Sequence, residues 1–320
     1  MQILKECASA TRIGISGHIR PDGDCVGSCL ALYQYLKKAM PDVYIKVFLQ
    51  KPSDIFSELN GFDSIDSSFP EEEAFDVFFA LDCNEERLGD AGKYFTQAFK
   101  TINIDHHISN CDGCGDVNYV QPQVGSTSEL IYHLILMDGM ESLIDTQLAQ
   151  AIYTGIIHDT GVFQYSNTTP ETMRVGAALI SYGFNFTKLI EETFYQKSYD
   201  QTLILGYALK ESVRFMEGKC IVSRITAKEM EQYGVTHQDL DGIVNQLRNV
   251  RGVHCAVFMY ETEDSKYKVS LRSDEYVDVA KVAAHFGGGG HVRAAGCTMA
   301  GTFHDCVNNL SLYIKEQLVH

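Results

Sequence analysis

Four short segments carry the residues able to do chemistry. His18, Asp22 and Asp24 sit in GHIRPDGD, Asp82 in ALDCN, Asp105, His106 and His107 in INIDHH, and Asp159 in IIHDTG. A single aspartate in such a place is ordinarily a turn residue or a helix cap. Taken together, Asp22, Asp24, Asp82 and Asp159 offer four carboxylates, and His18 and His106 offer two imidazole nitrogens. Two divalent cations would balance that charge. Ions about 3.5–4 Å apart need a bridging ligand, and a carboxylate with two oxygens suits the task. Oxygen and imidazole donors without thiolate argue against Ca²⁺ and against structural zinc. They fit Mn²⁺ best, with Fe²⁺ or Co²⁺ as alternatives and Mg²⁺ less favoured. Such a pair lowers the pKa of a bound water and clamps a phosphoryl oxygen, so metal-assisted phosphoester hydrolysis is the chemistry expected.

Residues this dispersed meet only if the fold gathers them. Residues 11–16, 44–49, 75–81 and 101–104 read as short β-rich runs, with helical apolar spacing at 26–40 between the first two. The run FDVFFAL is continuously apolar, as in a strand covered on both faces. Strands interleaved with helices predict crossover connections and a mostly parallel sheet. Three of the four clusters directly follow an expected strand, and the carboxyl ends of such strands face the crevice where ligands bind. The fourth, Asp159, closes an apolar helical stretch over 146–158, after another helix over 127–136 that Ser126 and Thr127 are expected to cap. Thr169, Pro170 and Glu171 open a further helix and Gly183 stops it.

The chain then changes character. Residues 186–210 read as a helical connector. Residues 219–225 read as a strand, 255–261 and 267–271 as a hairpin around the polar turn 262–266, and 277–286 and 303–318 as helices. The expected organisation is an α/β domain over 1–185, a linker over 186–210 and a smaller α+β domain over 211–320. Between the last two helices lies GGGGHVRAAG, residues 287–296. Successive glycines let the backbone approach a ligand and present N–H groups as an anion nest. His291 and Arg272 can add donors, Arg as a fork matched to phosphate, whereas Arg248 and Arg293 are expected on the solvated surface.

The 320 residues are 45% hydrophobic and 21% charged, with formal net charge −16. That composition supports a sizeable core and excludes wholesale disorder. The acidity repels a long polyanionic backbone, but not a short phosphorylated substrate bound through cations. No apolar stretch is long enough to span a membrane, and the opening residues lack a secretory pattern, so a cytoplasmic location with reduced thiols is expected for the 10 cysteines. Cys111 and Cys114 have C-x-x-C spacing but no partner pair or thioredoxin-like context, so the spacing is read as chance.

The order HxxxDxD…D…DHH…D resembles the DHH phosphoesterase superfamily, and GGGGHVRAAG resembles the signature of the DHHA1 domain; together they cover nearly the whole chain. The length, VSLRS at 269–273 and FGGGGH are most similar to the NrnA-type group, which degrades RNA fragments of a few nucleotides and removes the 3′-phosphate of adenosine 3′,5′-bisphosphate (pAp). The resemblance implies an active site in the cleft between the domains. It implies one Mn²⁺ on His18 and Asp22, a second on Asp24, His106 and Asp159, and Asp82 as the bridge. Asp105 would orient its neighbours, and His107 would face the substrate phosphate and steady or protonate the leaving oxygen. Arg272, Gly288, Gly289, Gly290 and His291 would grip the distal phosphate or end nucleotide. The expected partners are short RNA and phosphorylated nucleotides, not long duplexes or membranes; the oligomeric state stays open, a homodimer included. Two readings compete: a phosphodiesterase for pApA or cyclic di-AMP, and a non-catalytic nucleotide-binding regulator, against which the intact ligand set argues.

Overall fold

The computed structural model describes residues 1–262 and 264–318, apart from the side chain of His291. The chain divides into two compact units, residues 1–196 and 197–320. The first holds β1 (Arg12–Ser16), β2 (Tyr44–Phe48), β3 (Ile65–Asp66), β4 (Val77–Leu81), β5 (Thr101–Asp105) and β6 (Val117–Val120). All neighbours pair in parallel, in the order β3-β2-β1-β4-β5-β6. The chain therefore reverses its progress across the sheet between β1 and β4, the switch point where open α/β sheets bind ligands.

Alternation along each strand sends side chains to two cores. Phe79 and Leu81 of β4 join Ile13 and Ile15 under the helices Gly23–Ala39, Thr127–Met137 and Thr146–Asp159. Phe78 and Ala80 face the opposite side, where Phe48, Phe75, Tyr94 and Phe95 build an aromatic cluster. All five residues of β4 are buried, which explains the unbroken apolar run. The strand starts at Val77 rather than at residue 75, because Phe75 turns into the aromatic cluster and Asp76 accepts the backbone N–H groups of Thr11 and Arg12 at 2.7 and 3.0 Å. The edge strands β3 and β6 carry no comparable apolar run, since β3 has two residues and none of β6 is buried.

Two of those helices meet almost backbone to backbone. A Cβ on Gly27 would lie 2.7 Å from the Ala151 carbonyl, and one on Gly155 would lie 2.6 Å from Asp24 Oδ1. Glycine at both positions lets the helix that starts beside Asp22 lie against the helix that ends in Asp159.

The second unit holds β7 (Val213–Phe215), β8 (Cys220–Ile225), β9 (Cys255–Glu261), β10 (Tyr267–Ser273), β11 (Gly289–His291) and β12 (Ala294–Met299), in the order β11-β12-β10-β9-β8-β7. Only β8 and β9 run parallel among these pairs. Helices Val279–Ala284 and Phe303–Leu318 cover one face. Tyr199–Lys210 covers the other: half of the segment expected as a connector buries Ile204 and Ala208 in this unit's core. Residues Ala294–Met299, for which the sequence predicts no strand, form β12, whose alternate residues Ala295, Cys297 and Met299 point inward. Among the described residues no helix is long and apolar enough to cross a membrane.

Candidate metal centre

The carboxyl ends of β1, β4 and β5 lie side by side across the switch point. Asp82 follows β4 with φ +60°, a left-handed conformation that non-glycine residues adopt at a cost. Its N–H donates to the Ile104 carbonyl at 3.0 Å, which fixes the residue over β5. Its two oxygens then serve two sides. Oδ2 lies 3.4 Å from His18 Nε2, which is 3.6 Å from Asp22 Oδ1. Oδ1 lies 3.6 Å from His106 Nε2, which is 3.3 Å from Asp159 Oδ2 and 3.9 Å from Asp24 Oδ2. His18, Asp22 and Asp82 form one group whose donor atoms all lie within 4.8 Å of one another, and Asp24, His106 and Asp159 form another.

The donor chemistry of both groups fits cations. His18 Nδ1 faces the Ile19 carbonyl at 2.9 Å and His106 Nδ1 faces the Val124 carbonyl at 3.2 Å. A carbonyl at Nδ1 places the ring proton there and presents Nε2 as the ligand atom. His106 Nε2 is buried without a hydrogen-bond partner. An orphaned polar atom of this kind costs roughly 1–3 kcal/mol, a cost that a bound cation removes.

The carboxylates are arranged against their own repulsion. Burial and then the charges of Asp82 and Asp159 push the Asp24 carboxyl well above the usual range. Its oxygens accept the backbone N–H groups of Thr127 and Ser128 at 2.7 and 2.9 Å, at the positive end of the helix Thr127–Met137. Burial also raises Asp159, to about 7, with Asp82 and Asp22 adding to the rise and His106 opposing it. Asp22 caps its own helix, with Oδ1 accepting from Asp24 and Cys25 N–H at 3.1 Å each. The Asp22 side chain stays exposed; desolvation by the packed site opposes its charge, but His18 beside it outweighs this and holds its carboxyl below the usual range. Metal ions would take the place of the protons that such a cluster gathers.

Asp105 and His107 form an adjoining pair. Asp105 Oδ1 accepts the N–H groups of His106 and His107 at 2.7 and 3.0 Å and lies 2.7 Å from His107 Nδ1. Nδ1 is also 3.5 Å from Asp82 Oδ1, so Asp82, His106 and His107 make a third close group. The bond to Asp105 occupies Nδ1 with a proton and removes that nitrogen from the ligand set. Burial opposes the charge on His107, but Asp105 and Asp82 outweigh it and raise the ring to about 9.

Two residues that hold this site were not assigned to it from the sequence. Thr127 Oγ1 donates to Asp82 Oδ1 at 3.0 Å, while the cap of its helix is Ser126, whose oxygen accepts the Glu129 N–H at 3.1 Å. The helix start was legible; the reach of Thr127 to a residue 45 positions away was not. Asn167 Nδ2 lies 3.2 Å from Asp159 Oδ2, 3.1 Å from the Asp159 carbonyl and 2.9 Å from the Gly125 carbonyl, and nothing in the sequence marks it.

The candidates in the second unit have local partners. Arg272 Nε donates to Asn245 Oδ1 and Nη1 to the Leu271 carbonyl, each at 3.0 Å. A Cβ on Gly288 would lie 2.2 Å from the Gly296 carbonyl and one on Gly290 2.4 Å from the Ala294 carbonyl, so both glycines are required by their own hairpin. Gly289 would meet nothing within 4 Å. The His291 backbone pairs with Ala294, and its side chain lies outside the described residues. Arg248 pairs with Asp274 at 3.1 Å, and Arg293 is exposed. Cys111 and Cys114 are free thiols.

Known proteins share this organisation. The DHH family, N-terminal domain, matches residues 12–156, and the DHHA1 domain matches residues 217–318. The bifunctional oligoribonuclease and PAP phosphatase NrnA of Bacillus subtilis is 31% identical over 303 residues, covering 93% of this chain and 92% of that protein. The NrnA of Thermus thermophilus is 33% identical over 306 residues, covering 94% and 89%. The crystal structure of an exopolyphosphatase-related protein from Bacteroides fragilis superposes with TM-score 0.88 at 28% identity, covering 98% of this chain and 94% of that one.

Proposed function

This chain belongs to the DHH family of phosphoesterases and carries a DHHA1 domain, and from that premise we propose that it hydrolyses short oligoribonucleotides to mononucleotides and pAp to AMP and phosphate, with Mn²⁺ as its metal. The observation that carries the reading is the division of His18 and Asp22 from Asp24, His106 and Asp159 around the two oxygens of Asp82. The full-length likeness to two proteins named as oligoribonuclease and PAP phosphatase supports the substrate class.

A bound pair of divalent cations supplies Lewis acidity toward the phosphoryl group and a water of lowered pKa. The chain's residues do the rest. Asp82 spans the two groups, held by its left-handed backbone and by Thr127. His107, fixed by Asp105, donates a proton to the leaving oxygen. Arg272 and residues 287–291 bind the far phosphate or terminal nucleotide, and the net charge of −16 disfavours long polyanions. Side-by-side rates with Mn²⁺ on pAp, pApA, cyclic di-AMP and RNA of graded length test the reading. Free phosphate from pAp and mononucleotides from the shortest RNA are expected. Turnover confined to pApA or cyclic di-AMP moves the function to a dinucleotide phosphodiesterase. Tight nucleotide binding with no turnover on any of them makes the chain a regulator.

A further inference from the structure

Beyond the residues that meet the cations or the substrate, the turn that follows the DHH triplet carries a residue with a role in the reaction. We propose that Asn110 is a positioning residue, whose side-chain amide fixes the Asp105 carboxylate and through it the ring of His107. The role rests on the phosphoesterase reading above.

Asn110 ends the turn Ile108–Asn110 and is buried. Its Nδ2 lies 2.7 Å from Asp105 Oδ2, 2.9 Å from Asn103 Oδ1 and 3.3 Å from the Cys83 carbonyl. An amide has two N–H groups, so the two shorter contacts take them. The Cys83 carbonyl is served by Asn103 Nδ2 at 2.9 Å. The amide cannot be turned over, because its oxygen would then face those of Asp105 and Asn103. The Asn110 N–H returns to the His107 carbonyl at 3.1 Å, closing the turn on the residue it serves. Asn110 thus holds one carboxylate oxygen while the other accepts two backbone N–H groups and the His107 Nδ1 proton. Without it, a fully buried anionic oxygen loses a charge-assisted bond, and the carboxylate is held toward His107 from one side alone.

The reacting atoms explain why that hold matters. Water oxygen bonds to phosphorus, and the bond to the leaving nucleoside oxygen breaks with its electron pair on that oxygen. The Nε2 proton of His107 passes to it, and the proton lost by water restores the ring through solvent. A general acid held in place contributes most where the leaving oxygen is a strong base. A nucleoside alkoxide needs the proton; p-nitrophenolate does not.

The test compares Asn110→Leu with the wild type on pAp and on p-nitrophenyl thymidine 5′-phosphate, with bound metal measured on the same samples. The variant is expected to lose about 10- to 100-fold in kcat on pAp, with KM nearly constant, and less than about threefold on the aryl ester. Metal content stays at the wild-type level. The ratio of the two rates does not depend on the folded fraction, and Asn110→Ala, smaller and without the donors, gives the same selective loss if Leu is not tolerated. In the metal-free protein, the hydrogen-bonded Nδ1–H resonance of His107 weakens or shifts in either variant. Equal losses on both substrates, or an unchanged ring resonance, overturn the proposal. If the wild type hydrolyses neither substrate, the phosphoesterase reading falls and takes this role with it; the ring signal distinguishes that failure from a failure of the hydrogen-bond chain.

Discussion

The switch point of the first sheet and the glycine hairpin of the second unit resolve their polar groups in opposite ways. At the switch point, His106 Nε2 is buried without a hydrogen bond, Asp82 sits in a left-handed backbone, and Asp24 and Asp159 are forced toward protonation by burial and by the Asp82 carboxylate beside them. At the hairpin, Gly288 and Gly290 pack against the backbone of β12, and Arg272 bonds to Asn245 and Leu271. The first region is built at a cost that only a ligand removes; the second is satisfied by its own chain. The first therefore announces a function by its physics. At the second, a ligand has to compete with existing bonds.

The largest expected effect breaks the first region at its centre. Asp82→Ala removes the carboxylate whose two oxygens face His18 on one side and His106 on the other. Loss of metal-assisted charge stabilisation of about 4 kcal/mol corresponds to roughly a thousandfold in kcat. Metal analysis is expected to show both sites depleted, and a variant that keeps full occupancy and near-normal turnover would take Asp82 out of the shared position. Thr127→Val sharpens the same point, since it preserves volume and removes the hydroxyl that holds Asp82 Oδ1. Partners of metal ligands typically contribute about 10- to 100-fold, so a loss in that range of Mn²⁺ affinity or turnover is expected, with little change in KM for pAp.

Arg272→Ala tests the other side of the comparison. Its guanidinium already has local acceptors, with which a substrate would have to compete. A charge-assisted hydrogen bond is worth about 1.5 kcal/mol at the low end, which predicts roughly a tenfold rise in KM with metal content unchanged. An unchanged KM and kcat would show that the second unit grips substrate through other residues.

How far the sequence could be read follows the same division. His18, Asp82 and the DHH triplet were legible because each stands directly after an apolar run, and the parallel order that aligns them follows from alternating strands and helices. Thr127 and Asn167 were not legible in this role, because their bonds to Asp82 and Asp159 exist only once separate segments have docked. Edge strands β3 and β6 lack the apolar run that marks β4, and β12 is written in Ala and Gly, poor strand formers whose pairing with β10 and β11 overrides propensity. The glycine run shows the limit of motif reading: the spacing was visible, but not that two of its glycines face their own hairpin rather than open space.

The smallest expected effect concerns protons at the switch point. Asp24 and Asp159 have carboxyl pKa values above the ordinary range, Asp159 at about 7, because burial and neighbouring carboxylates penalise their charge. A carboxyl that binds its proton more tightly folded than unfolded adds stability below its unfolded value of about 4, and loses that contribution as pH rises through its folded value. The metal-free protein therefore loses the stability contributed by Asp159 between about pH 4 and pH 7, and that contributed by Asp24 as pH rises above about 4. Cations bind the deprotonated form and compete with the same protons. The rise in Tm on adding excess Mn²⁺ is accordingly expected to be larger, by a few degrees, at about pH 8 than at about pH 5. Asp159→Asn is neutral at both pH values and is expected to shrink that difference. An equal rise at both pH values, in wild type and variant alike, would place the bound metal away from these carboxylates and end the contrast between a region that needs its ligand and one that does not.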